Sequence, residues 1–236
     1  DVGRPDLLGE EARKQLAHQL YGSVFDTLPI FPDFTEIFPG HGAGSLCGKA
    51  IGSRSASTVG YERHFNPSLE SSDEPAWVDR LLDGMPVAPP YFRRMKKVNA
   101  EGPALIGLER PGRTRYSAKE VHEQRCNNCL IVDVRSKEAF AAGHIPDSIN
   151  IPLGNVLPTW AGWVLPYDKP TLIVLDDPAD MPTVVTHLIR VGFDEVQGYL
   201  DDGIGAWANA GYPLAHLESL SVCGLEKRLQ QETKPD

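Results

Sequence analysis

The 236-residue sequence contains no His-x-His pair, no run of 18 apolar residues and only four cysteines. Its seven histidines stand singly at His18, His41, His64, His122, His144, His187 and His216, so no short word supplies two metal ligands from one strand or helix. Without a long apolar run, no helix is expected to span a membrane. Positive charge is also short: 23 Lys and Arg against 32 Asp and Glu give a formal charge of −9. That balance argues against nucleic acid and anionic lipid as partners, because both require a basic footprint. The one concentrated basic stretch, Arg93, Arg94, Lys96 and Lys97, reads as a solvated face or linker edge. Cys47, Cys126, Cys129 and Cys223 are too few for a disulfide scaffold and imply a reducing, cytoplasmic setting. The opening residues carry no signal-peptide apolar region.

Glycine is concentrated instead. Residues 39–48 read Pro39-Gly40-His41-Gly42-Ala43-Gly44-Ser45-Leu46-Cys47-Gly48, four glycines around one histidine after the apolar pair Ile37-Phe38. Glycine admits backbone turns that other residues resist, which would expose the His41 imidazole at a strand end, within reach of a metal. Upstream, Ala12, Leu16, Leu20, Val24 and Leu28 form an i, i+4 ladder and predict an amphipathic helix over residues 10–28. A strand is expected at 35–38 and a helix at 58–65, ended by Asn66-Pro67. Asp73-Glu74-Pro75 starts another helix, while residues 86–92 read as an extended tail.

After a Gly- and Pro-rich linker, Ser117-Ala118-Lys119-Glu120 predicts a capping box. Apolar runs at 130–134, 149–151 and 171–175 alternate with helical stretches, the pattern of a parallel sheet covered on both faces. Cys126-Asn127-Asn128-Cys129 follows a helix and leads into a strand. A thioredoxin-like redox pair has the reverse order, with the thiol at a helix N-terminus.

The glycine-rich loop, with Gly3-Arg4-Pro5-Asp6-Leu7 and Leu28-Pro29, resembles the metallo-β-lactamase fold, including its glyoxalase II-like and persulfide dioxygenase branches. The resemblance places His41 at the second metal position, unused in mononuclear iron members, and Arg4 near the metal site, where it would contact the carboxylate of a thiol cosubstrate. The residues alone make Arg4 equally a surface arginine before a turn. Val132-Asp133-Val134-Arg135, the word from Ala142 to Ser148, Ile151-Pro152-Leu153, Gly203-Ile204-Gly205-Ala206-Trp207 and Gly211-Tyr212-Pro213 resemble a rhodanese domain. Together these imply an α/β chain: the C-terminal half of an αββα metallo-β-lactamase fold with an extension over 1–101, a linker over 102–115, a rhodanese-like parallel-sheet domain over 116–216, and the start of a second rhodanese over 217–236. The chain would then be a segment of a longer protein.

A rhodanese places its cysteine at the start of a loop after the fourth strand, where inward backbone N–H groups stabilise the thiolate and its persulfide. Here the corresponding stretch is Asp176-Asp177-Pro178-Ala179-Asp180. It has no sulfur nucleophile, Pro178 removes one N–H, and three carboxylates repel anionic sulfur donors. Such a loop could in principle hold Mg²⁺ or Ca²⁺ or form an aspartyl phosphate. The simplest reading makes Asp176 or Asp177 a cap for the next helix. Asp133 and Arg135 are expected to tie strand ends together, His144 to fix a turn, and Trp160, Trp163 and Trp207 to anchor the core or an interface.

The combined resemblance is to bacterial persulfide dioxygenase–rhodanese fusions. It implies sulfur metabolism, with a low-molecular-weight persulfide such as that of glutathione or coenzyme A as substrate, Fe²⁺ held mainly by residues outside this chain, and a possible homo-oligomer. Two rivals remain open at this point. One is zinc-dependent hydrolysis of a thioester-like bond, with His41 on the metal; the other is a non-catalytic interaction or scaffold module.

Overall fold

Capping and proline signals set most helix starts. The structure, a computed structural model, describes residues 2–45, 47–49, 51–70 and 73–230. Leu46 of the glycine-rich loop and residues 231–236 of the expected second rhodanese lie outside them. The chain divides into two units, residues 1–97 and 98–236.

In the first unit a 3₁₀ turn at Pro5–Leu8 precedes α1 (Glu10–Gly22). The ladder to Leu28 does not continue as α-helix: the backbone widens into a π turn at Ser23–Thr27 and then tightens at Leu28–Ile30, where Pro29 interrupts the pattern. β1 (Glu36–Ile37) pairs antiparallel with β2 (Ser57–Thr58). α2 (Val59–Phe65) is capped by the Thr58 hydroxyl, and α3 (Glu74–Leu82) by the Asp73 carboxylate with proline in its first turn. The expected extended tail is corrected: α4 occupies Pro90–Glu101. Pro90 at its start has no N–H to leave unsatisfied, so the proline cluster ends at a helix and does not prolong a coil. The unit's core joins Ala17 and Val24 to Trp77, Val78 and Leu82. Tyr21 and Phe25 meet the Trp77 ring edge-on, and the indole N–H donates to Ser68 O at 2.8 Å.

The second unit is built on a five-stranded parallel sheet in the order β3–β7–β6–β4–β5. In chain order these are β3 (Thr114–Tyr116), β4 (Leu130–Asp133), β5 (Ile149–Asn150), β6 (Thr171–Val174) and β7 (Val196–Leu200). Between them run α5 (Ala118–Cys126), α6 (Lys137–Ala142), α7 (Leu157–Val164) and α8 (Met181–Ile189). α9 (Gly203–Asn209) and α10 (Val222–Leu229) follow. The Ser117–Glu120 capping box is complete, with both reciprocal hydrogen bonds made. Every residue of β6 is buried, as a central parallel strand covered on both faces requires. One face packs Ile131, Leu172, Val174 and Leu200 against Val121, Ile145 and Trp207. β3 begins inside the stretch expected as linker, and both β3 and β7 lack a legible apolar run. No helix among the described residues is long and apolar enough to cross a membrane.

Candidate functional site

The C-terminal ends of the parallel strands carry the loop where rhodanese chemistry would reside. β6 delivers buried Leu175 and then five exposed residues, Asp176 to Asp180. The Asp177 carboxylate accepts from Ala179 N–H at 2.8 Å, capping a 3₁₀ turn at Pro178–Asp180 that leads into α8. Asp180 N–H donates to Asp177 O at 3.0 Å, and Met181 N–H to Pro178 O. Pro178 has no N–H. Four of the six backbone positions from Asp176 to Met181 therefore offer no donor to a ligand. Asp180 stands at the N-terminus of α8 without a side-chain cap bond.

Behind this loop the framework is complete. Arg135 makes a bidentate pair with Asp133, at 3.0 and 2.6 Å, and donates to Gly143 O at 2.8 Å. Both side chains are almost fully buried, and Asn150 bridges the carbonyls of Asp133 and Arg135. His144 stacks on Phe140 at 3.7 Å and shares a short 2.8 Å hydrogen bond with its carbonyl. Trp207 is buried and donates to Pro213 O, whereas Trp160 is 55% exposed on α7.

The cysteine pair does not form an open redox site. Cys126 is exposed at the end of α5, while Cys129 is buried and its thiol reaches Pro170 O at 3.1 Å. Burial pushes the Cys129 thiol up to about 11, so it stays protonated at neutral pH.

In the first unit His41 is exposed in the loop between β1 and β2. Among the described residues no group of three or more His, Cys, Asp or Glu side chains comes together to hold a metal. The described residues taken alone therefore do not assemble the donor set of an iron or zinc centre.

Arg4 is not a surface arginine. Its side chain is 1% exposed, and it donates to both carboxylate oxygens of Asp6, at 2.8 and 2.5 Å, and to Pro86 O at 2.6 Å. This hydrogen bonding raises Arg4 and holds Asp6 below the usual carboxylate range. Cys47, Tyr91 and Lys96 belong to the same neighbourhood: a charge on the Cys47 sulfur acts on Arg4, Tyr91 and Lys96 alike. The Asp6 carboxylate also acts on the Lys96 ammonium of α4. Burial lowers the Lys96 ammonium and raises the Tyr91 phenol. Sequence reasoning missed this group, having read Lys96 as part of a solvated run. No spacing in the sequence signalled it, because residues five apart on a helix do not share a face.

Comparison with known proteins agrees with the fold. The rhodanese-like domain family matches residues 117–210. A thiosulfate sulfurtransferase (GlpE) of Pseudomonas aeruginosa is 30% identical over 99 residues, covering 42% of this chain and 86% of that protein. An uncharacterised protein of Buchnera aphidicola is 32% identical over 89 residues, covering 37% of this chain. A crystal structure of a metallo-β-lactamase from Staphylococcus aureus aligns with 83% of this chain at 33% identity and a TM-score of 0.65. The chain spans only 61% of the Buchnera protein and 54% of the staphylococcal one. With a rhodanese sheet in the second unit and a metallo-β-lactamase likeness extending over most of its length, the chain belongs to the rhodanese family, in the architecture of a metallo-β-lactamase–rhodanese fusion.

Proposed function

We propose that this chain is part of a sulfur-metabolism protein of the persulfide dioxygenase–sulfurtransferase type, and that its own rhodanese domain is non-catalytic. The observation that carries the second statement is the loop after β6: it has no cysteine, and four of its six backbone positions offer no N–H to a ligand. A carboxylate cannot accept a sulfane sulfur and pass it on as a thiolate does. The three exposed carboxylates of the loop also oppose the approach of thiosulfate or a persulfide anion.

The first statement is supported by the sulfurtransferase relative and by the metallo-β-lactamase likeness. The substrate of the whole protein is then a low-molecular-weight persulfide, such as that of glutathione or coenzyme A. An iron centre would draw its ligands mainly from residues outside this chain, since no group of three or more donors gathers at His41 among the described residues. The rhodanese unit serves as a spacer and docking surface, held rigid by the buried Asp133–Arg135 pair.

The test is a thiosulfate:cyanide sulfurtransferase assay on the 236-residue chain. Thiocyanate formation is expected to stay at the uncatalysed background. Substantial turnover by the chain would overturn the non-catalytic reading. For the whole protein, oxygen consumption with glutathione persulfide is expected; thioester hydrolysis without oxygen consumption would overturn the dioxygenase reading.

A further inference from the structure

Two parts of the second unit expose contiguous apolar side chains: the stretch leading into β3 and one face of α7. Residues 102–110 are exposed throughout. Leu105 is 98% exposed, Leu108 fully so, and Ile106 is exposed beside them. On α7, Val156, Trp160 and Val164 recur at i, i+4 and i+8 and are exposed on one side. The helix itself carries no charged side chain. Single exposed leucines are ordinary on a protein surface, but contiguous apolar patches mark surfaces that are covered in use.

The first stretch is already tied to the neighbouring helix. Arg110 donates to Thr186 Oγ1 on α8 at 3.3 Å. Gly112 is buried against the same helix, where a Cβ would lie 2.8 Å from Val185 and 2.9 Å from Met181. α8 in turn packs on α7. Adjacent packed helices lie about 8–10 Å apart, whereas the chain from Arg110 back to Leu105 spans up to about 17 Å when extended. Leu105 therefore reaches the α7 stripe without disturbing the Arg110 anchor. At the other end Gly102 has a φ of 89° and open space where a Cβ would stand, which leaves the backbone room to swing.

We propose that residues 104–108 are a strap that closes across α8 onto α7, with Leu105 and Leu108 covering Trp160 and its two valine neighbours. The closed strap continues the contact that Arg110 and Gly112 begin, and so holds the chain entering β3 along the helical layer. Ordering the strap costs backbone entropy; removing two leucines and an indole face from water offsets it. Residues 102–108 carry no charge, so closure desolvates no ionic group of the strap or of α7.

Hydrogen exchange of the 236-residue protein, read by mass spectrometry, is compared with that of Trp160→Ala. The amides of residues 105–108 are expected to exchange about tenfold more slowly in the unaltered chain, because docking protects them. In the converse experiment, hydroxyl-radical labelling of Trp160 is expected to rise severalfold in the double variant Leu105→Ser/Leu108→Ser, with labelling of Trp163 unchanged as the internal reference. All three substituted side chains are exposed, so neither variant removes a core contact. Equal exchange in the two proteins, or labelling of Trp160 that the double variant leaves unchanged, would overturn the proposal. So would protection at 105–108 that appears only as the chain dimerises with rising concentration in sedimentation velocity, because a second copy would then cover the stripe.

Discussion

At Gly198, in the centre of β7, a Cβ would lie 2.0 Å from the Thr114 carbonyl oxygen and 2.8 Å from the Tyr116 ring. β3 can approach this closely only because no side chain intervenes. Gly198→Ala must push the edge strand away, and we expect a loss of about 1–3 kcal/mol in urea unfolding, the range of overpacked sites. Asp6 provides a second test. Arg4 holds its folded pKa below the unfolded value, so its contribution is fully present above the ordinary carboxylate pKa and is lost as pH falls through the depressed folded value. Asp6→Asn should destabilise the protein by about 2 kcal/mol at neutral pH. The deficit should shrink on acidification below the ordinary carboxylate range, as unfolding midpoints measured against pH would register. The Gly-Arg-Pro-Asp word was visible in the sequence. That Arg4 folds back over Asp6 was not, because its position is set by the Pro86 carbonyl 82 residues away.

Among the elements, those announced by local chemistry were legible. Thr58, Asp73 and Ser117 each cap the helix that follows, and the apolar runs around Ile131 and Ile173 became β4 and β6. β3 was not legible because Thr114-Arg115-Tyr116 is an edge strand, half solvated and polar. β7 was obscured by Gln197 and by Gly198, whose presence answers to a neighbouring strand and not to β propensity. α4 was hidden by the prolines that precede it. The acidic loop after β6 was legible as a loop without sulfur, but its hydrogen bonds were not. They lead to a sharp expectation for Asp176→Cys. Restoring a thiol should not restore thiosulfate:cyanide turnover, because Ala179, Asp180 and Met181 N–H remain committed and Pro178 still lacks one. Thiocyanate formation by this variant should stay at the level of the unmodified chain; an increase of about a hundredfold or more would show that backbone donors are dispensable, against their usual weight in anion stabilisation.

For the whole molecule, the two units have separate cores. The cluster built on Ile131, Leu172 and Trp207 draws only on residues of the second unit, and the one built on Trp77 only on residues of the first. A fragment of residues 98–236 is therefore expected to unfold in urea as one cooperative transition, by tryptophan fluorescence and far-UV circular dichroism alike. A gradual, non-cooperative change would mean that its core is incomplete.

The pairing of β3 with β7 also bears on synthesis. Thr114 meets Gly198 and Tyr116 meets Leu200, so the first strand of the sheet to leave the ribosome waits for the last. Contacts of such long sequence separation form slowly, and a nascent chain stalled before residue 200 presents β6 with one flank unpaired. Synonymous codons that slow translation within α8 should thus lengthen the period in which chaperones must shield that flank.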